Sequence, residues 1–292
     1  MKRCSNTSCR ADNPSDAVYC HMCGRKMKTK AIWPFVLGGV VLVGALVYGI
    51  MKFTTFENKN VMKFTVNGVS FNMIKVEGGS FSMGATYEQG SEAMWWEKPV
   101  HQVSLNNYYV GETEVTQALW KAVMKQSPSG FKGDNLPVDC VSWDDCVEFC
   151  RLLSHKTGKR FRLPTEAEWE FAARGGNKSN SYKYPGSNNV YEVAWCIGVS
   201  DSIPHAVKTK KPNELGIYDM AGNAWEWCGD YWGANYNDYH EINPQGPSTG
   251  EYRVHRGGGW LNAPTYCRVS YRYKAMQTRR NDFRGFRLVM DY

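Results

Sequence analysis

The run AIWPFVLGGVVLVGALVYGIM, Ala31 to Met51, is 21 residues without a charged side chain. At ~1.5 Å per residue, about 20 apolar residues in a helix cross the hydrocarbon of a bilayer. Pro34 falls in the first turn, where a missing N–H costs no helix hydrogen bond. A cleaved signal peptide places an apolar region of roughly 7–15 residues close to the N-terminus. Here 30 residues precede the run, and no small-x-small cleavage site follows it. A buried core helix is the other reading, but Lys30 and Lys52 flank the run as interfacial anchors do. The run predicts one membrane span at 31–51.

Charge then sets the orientation. Residues 1–30 carry seven Lys and Arg against Asp12 and Asp16, so they hold +5 of the formal +7. The positive-inside rule keeps this end in the cytoplasm and puts the C-terminal part on the periplasmic or extracellular side, with a bacterial inner membrane as the expected host. The remaining residues carry only +2. That gives no electrostatic footprint for a nucleic-acid partner.

Cys4, Cys9, Cys20 and Cys23 follow the pattern C-x4-C-x10-C-x2-C, with Gly24 next to the second pair. Two thiolate pairs on tight turns can close a tetrahedron around Zn²⁺. A segment this short has too little apolar material for a core and needs a staple. Disulfides are the competing staple, and a reducing cytosol disfavours them. The segment resembles the small zinc ribbons at the N-termini of many bacterial membrane proteins, with x4 where x2 is commoner. The expected order is a zinc ribbon at 1–27, able to meet a cytoplasmic protein partner, then the span, a linker at 52–64 and a domain at 65–292.

That domain is rich in glycine and large rings; the chain has 28 Gly and 11 Trp. This predicts a loop-rich α+β domain rather than a helix bundle. FNMIKVEGGSFSMGA reads as two strands around Gly78 and Gly79, and HQVSLNNYYVGETEVT has strand character up to Val110. Thr116 reads as the cap of a helix through Met124. Ser142 and Asp145 start another, with Trp143, Cys146, Val147, Cys150 and Leu153 as its apolar face. Thr165 and Glu168 form a capping box at the start of a third helix, with Trp169 and Ala172 inward. After Arg174 few periodic runs remain.

Five blocks in order, LPVDCVSWDDCVEFCRLL, RLPTEAEWEFAARGG, KPNELGIYDMAGNAWEW, RGGGW…YCRVSYRY and GFRLV, resemble the formylglycine-generating enzyme (sulfatase-modifying factor) family. The resemblance implies a variant of the C-type lectin fold. It also implies a site at which O₂ converts a cysteine of a sulfatase peptide to formylglycine, using Cu(I) between two thiolates spaced C-x4-C. Soft thiolates suit Cu(I). The matching positions here are Asn262 and Cys267, so one thiolate is replaced by a neutral amide, a poor Cu(I) ligand. Gly259 stands where the family enzyme has Ser. Trp225, Trp260 and Arg272 are the expected pocket. Cys140, Cys146, Cys150, Cys196 and Cys228 can replace the lost sulfur only if folding brings one close. Cys267 also reads plainly as a buried small hydrophobe or half of a disulfide.

The same resemblance implies Ca²⁺ at the turn before WEW, held by the Asp219 and Glu226 side chains and the Gly222 and Ala224 carbonyls. The plain reading is a Gly-Asn turn with Glu226 paired to an arginine. Arg268, Arg272 and Arg287 line a cleft in one reading and pair with buried carboxylates in the other, which the pattern favours. The six histidines show no metal-ligand spacing. The expectation is a family frame whose metal pair is broken. It would be a recognition or accessory module for a protein or peptide outside the membrane. The alternative is an O₂-dependent formylglycine-generating oxidase that uses Cys267 with a distant cysteine.

Overall fold

The computed structural model describes residues 60–292, together with Lys2–Arg3, Cys9 and Asp12–Asn13. The chain divides into two units, Met1–Glu57 and Asn58–Tyr292. In the first, Lys2–Arg3 pairs antiparallel with Asp12–Asn13. The expected zinc ligands Cys4, Cys20 and Cys23, and the span at 31–51, lie outside the described residues. Among the described residues no helix is long and apolar enough to cross a membrane.

The second unit opens with a hairpin of β1 (Val61–Val66) and β2 (Val69–Val76). Asn67 and Gly68 turn it, at φ 48° and 83°. A two-residue loop of the type I′ kind needs positive φ at both positions, and Asn-Gly supplies it at least cost. Val61–Val66 falls largely within the stretch expected to be linker. It is a strand because Met62, Phe64 and Val66 alternate with Lys63 and Thr65, and those three pack on the core.

β3 (Gly79–Met83), β4 (His101–Leu105) and β5 (Tyr108–Gly111) follow. Later come β6 (Phe161–Arg162), β7 (Trp225–Tyr231), β8 (Glu241–Ile242), β9 (Tyr252–Arg256), β10 (Arg272–Met276), β11 (Arg284–Phe286) and β12 (Val289–Asp291). They form three sheets, ordered β1-β2-β5-β12-β6, β8-β4-β3 and β10-β9-β7-β11. The last strand, β12, therefore sits between β5 and β6 and ties the end of the chain to the sheet the first hairpin begins. In the four-stranded sheet β9 runs antiparallel to β7, with a register break between Arg253 and His255, and β11 runs parallel to it.

The three expected helices form with the expected caps. α1 (Gln117–Met124) starts at Thr116, whose hydroxyl accepts from Leu119 N. α2 (Trp143–Thr157) starts at the reciprocal Ser142–Asp145 box and stops at Gly158, φ 69°. α3 (Glu166–Ala173) starts at the Thr165–Glu168 box. Each such cap is worth about 1 kcal/mol. One assignment on α2 differs from expectation: Val147 faces outward at 40% exposure, and Phe149 takes its place in the core. The buried stripe is Cys146, Phe149, Cys150 and Leu153, at i, i+3, i+4 and i+7. After α3 comes the short α4 (Val190–Val193), and the chain up to β7 is mostly turns.

Phe149 stacks on Trp120 at 5.2 Å between centroids and meets Phe286 edge-on at 5.3 Å. It links α1, α2 and β11. Phe149→Ala should cost about 3–5 kcal/mol in urea unfolding, whereas Val147→Ala should stay within about 0.5 kcal/mol. Equal effects would mean that the stripe is misassigned.

Candidate functional site

The chain leaves β9 through Gly257 and Gly258, both left-handed at φ 94° and 74°. A Cβ on Gly258 would lie 3.0 Å from Cys267 Sγ and 3.1 Å from the Tyr266 backbone. Glycine is what lets these strands of chain meet. The bend returns Asn262 toward β7, where its Oδ1 accepts from Trp225 Nε1 at 2.7 Å and from the Gly259 amide at 3.1 Å. A Cβ on Gly259 would sit 3.3 Å from Trp225 and 3.4 Å from Asn262 Oδ1, so this corner is already full. Trp260 is buried beside it, with its indole donating to Asp282 O.

Cys267 ends the turn Pro264–Cys267 and is fully buried. It is not alone. Its thiol donates a hydrogen bond to Cys196, which holds the Cys196 thiol below its ordinary pKa and pushes that of Cys267 well above. Lys210 adds to the first effect and burial to the second. The segment carrying Cys196 is fastened to the same corner: Ile197 N donates to Asn262 O at 2.9 Å, and Ser200 Oγ to Trp260 O at 2.7 Å. The fold thus brings together Trp225, Trp260, Asn262 and Cys267 and adds Cys196. Nothing in the spacing of the cysteines marks that partner. Arg272 lies elsewhere, bidentate on Glu166 at 2.7 and 2.6 Å. It lines a separate cavity of about 320 Å³ with His101, Tyr236 and Glu241.

The turn before β7 packs against the backbone of Trp195, which it meets in an isolated parallel bridge at Gly222. Gly222, at φ 70°, lies so near that an added Cβ would be 2.2 Å from Trp195 O. Asp219 Oδ2 accepts from Lys208 N at 2.6 Å, while Oδ1 is buried without a hydrogen-bond partner. Burial raises the Asp219 pKa to about 6 and that of neighbouring Glu114 well above the usual carboxylate range. Glu226, the other expected carboxylate ligand, is committed: Arg287 donates to both of its oxygens, at 2.7 and 2.9 Å, and Trp169 Nε1 donates to Oε2 at 2.6 Å. This is the ion pair that the plain reading of the turn anticipated. Among the described residues no cluster of three or more His, Cys, Asp and Glu has the arrangement to hold a metal ion.

The other arginines behave alike. Arg268 is bound by Glu97 at 2.6 and 2.8 Å, and Ser270 donates to the same carboxylate. Arg256 pairs with Glu170. Arg256, Arg268, Arg272 and Arg287 are all among the largest fully buried side chains. They brace the loops and do not line a cleft around Cys267.

The family model for a sulfatase-modifying factor enzyme 1-like domain matches residues 58–292. The chain belongs to this family. It is 32% identical over 300 residues to the chaperone protein LppX of Paenibacillus barcinonensis, an alignment spanning 86% of this chain and 97% of that protein. It is 31% identical over 289 residues to the formylglycine-generating enzyme of Streptomyces coelicolor, spanning 75% and 88% of the two chains. Its fold is similar to that of Treponema denticola variable protein 1, with a TM-score of 0.73, 33% identity and coverage of 80% and 99%. The expected frame of the formylglycine-generating type is thus present from the first hairpin to β12.

Removing one member of a buried ion pair strands the other. Glu226→Gln should lower stability by about 3–5 kcal/mol, read from the shift in urea midpoint. A cost below about 1 kcal/mol would show that Arg287 is not held by this carboxylate.

Proposed function

We propose that the domain is a recognition or accessory module of the sulfatase-modifying factor family, held outside a membrane by the apolar run at 31–51. One observation carries this reading. The amide oxygen of Asn262, at the position of the family's first copper thiolate, is consumed by the Trp225 indole and the Gly259 amide. A neutral amide so engaged is no ligand for Cu(I). Trp225, Trp260 and Cys267 are buried, so the corner is filled by protein. The similarity to a protein named as a chaperone, over almost its whole length, supports an accessory role. Its ligand would be a protein or peptide. The zinc ribbon, with Cys4, Cys9, Cys20 and Cys23, would face a cytoplasmic partner. The modest charge of the remaining chain supports no nucleic-acid role.

Calcium belongs to the same proposal. Asp219 Oδ1 is a buried carboxylate oxygen with no hydrogen-bond partner, beside Glu114 and Glu226 and with Arg287 as the nearby positive charge. A hard cation fits that surplus of negative charge. Asp219 would hold it, with the Gly222 and Ala224 carbonyls. Glu226 would contribute chiefly charge, because its oxygens are taken. Calcium should raise the melting temperature of the wild-type protein and leave Asp219→Ala unmoved. Equal shifts in both would place the ion elsewhere.

A second reading is favoured by the Cys196–Cys267 contact: a formylglycine-generating oxidase with a displaced sulfur pair. Mass spectrometry of a co-expressed C-x-P-x-R peptide separates the two. The accessory reading expects the cysteine to keep its thiol mass. Conversion of that cysteine to an aldehyde would establish the oxidase and end the first reading.

A further inference from the structure

Most buried arginines of the second unit have a carboxylate partner. Glu170 takes Arg174 and Arg256, Glu97 takes Arg268, Glu166 takes Arg272 and Glu226 takes Arg287. Arg284, 5% exposed at the start of β11, pairs with no carboxylate among the described residues. Its Nε and Nη1 are buried without a hydrogen-bond partner. Arg253 also pairs with no carboxylate, but its Nη1 donates to Gly229 O at 2.7 Å and its guanidinium lies against the Trp143 and Tyr231 rings, at 3.7 and 3.4 Å. Arg284 has rings alone, Trp227 at 4.7 Å and Phe283 at 5.8 Å. Burial first, and the like charge of Arg279 second, pull its pKa down to about 10. An uncompensated buried cation is costly, and a group left so in a folded chain needs an explanation.

A second orphan lies on the same face of the sheet. Register pairs Arg284 with Trp225, and His255 with Trp227 and Tyr273. Side chains paired across strands project to one side. His255 is buried, and neither of its ring nitrogens has a hydrogen-bond partner. Its ring lies 5.6 Å from that of Trp227 and 4.5 Å from that of Trp225. Arg284 and His255 thus share the Trp227 ring as a neighbour, and between them hold four unpartnered nitrogens. Burial and the Arg284 charge keep His255 neutral, well below its ordinary pKa. Both arginine nitrogens are donors, and so is one nitrogen of a neutral imidazole. The row therefore offers three donors, one acceptor and one uncompensated positive charge. It reaches the surface at both ends, at Tyr273, which is 47% exposed, and at exposed Arg279.

We propose that Arg284 and His255 form a carboxylate-binding site against the Trp227 ring, open to an acidic peptide side chain or a peptide C-terminus. One carboxylate brings one negative charge to the one buried cation that has only rings around it. Arg280, next to Arg279, is already bidentate on Asp145, with both bonds at 2.8 Å. A phosphate or sulfate dianion would bring a second charge with no buried cation to meet it. The planar carboxylate matches the guanidinium fork, and its two oxygens have acceptor sites to spare for the imidazole N–H. A guanidinium held against a ring keeps its N–H edge free for an anion. Neither reading of the Asn262 corner uses Arg284 or His255, so the site is independent of both.

The test titrates the full chain with two pairs of short peptides, read by ligand-observed NMR at constant ionic strength. One pair is N-acetyl-Gly-Glu-Gly amide and its Gln analogue. The other is N-acetyl-triglycine with a free and with an amidated C-terminus. In at least one pair the acid should bind at least about tenfold tighter than its neutral twin, the worth of one charge-assisted hydrogen bond. The pair that responds identifies the source of the carboxylate. Arg284→Met should abolish the difference, and Arg280→Met should keep it. Should Arg284→Met fail to fold, Arg284→Lys, which keeps the charge and loses the fork, should bind the acid severalfold more weakly. Inorganic sulfate should bind more weakly than the responding acid. Acid and neutral twin bound alike in both pairs, an acid affinity unchanged in the Arg284 variant, or sulfate bound more tightly than either acid would overturn the site.

Discussion

Buried arginine–carboxylate pairs hold the second unit together. α3 is buried along all eight of its residues and carries Glu166, Glu168 and Glu170. Three acidic groups cannot enter a core uncompensated, since the effective desolvation penalty is several kcal/mol per ion. Each finds a guanidinium: Glu166 that of Arg272 from a distant strand, Glu168 that of Arg162 just before the helix, and Glu170 those of Arg256 from a distant strand and of Arg174 at the end of α3 itself. Most of the folding free energy still comes from apolar burial, because a paired charge about breaks even against a hydrophobe of its own size. What the pairs add is direction. A guanidinium has five donors in a fixed plane, so it fixes where a loop must pass. Arg287 shows this, joining the Glu226 carboxylate to the carbonyls of Gly111 and Tyr218. In a domain with short strands and long turns, these forks do what ladders do in a regular sheet.

The local parts of the fold were legible in the sequence. Thr116, Ser142 and Thr165 each announced a helix because a cap is a contact between residues three apart. The Asn67–Gly68 hairpin carried an equally local signal, yet its first strand fell in the stretch expected to be linker, and the family match begins earlier, at residue 58. Val147 failed for a different reason. An apolar residue on a helix need not face inward, and only the packing of Phe149 between Trp120 and Phe286 decides which side is core. The long-range pairs were beyond reach. Glu97 and Arg268 stand 171 positions apart, and neither spacing nor composition marks them as partners.

The site divides along the same line. Trp225, Trp260, Asn262 and Cys267 were found from two short blocks, and the structure gathers them in one corner. Arg272 came from the same block and lies elsewhere, because alternation along β10 sends it toward Glu166 and not toward Trp225. Cys196 was one of five candidate replacements for the lost sulfur, and only folding chose among them. Glu226 was named for a metal, yet its nearest demand is electrostatic: with Arg287 fully buried, a carboxylate must face it.

These facts bear on what substitution at one position can do to a site. Asn262 is the pin of this corner. Its amide oxygen accepts from an indole and a backbone amide, a hydrogen-bond knot that stabilises the bend after Gly259. Replacing it by Cys would leave the Trp225 N–H and the Gly259 N–H without their acceptor, at a cost of about 1–3 kcal/mol for each buried donor left bare. The corner is therefore self-consistent, and a thiol at position 262 does not enter it without penalty. Cys267 neighbours Cys196, which lies on a segment joined to the corner by hydrogen bonds from Ile197 N to Asn262 O and from Ser200 Oγ to Trp260 O.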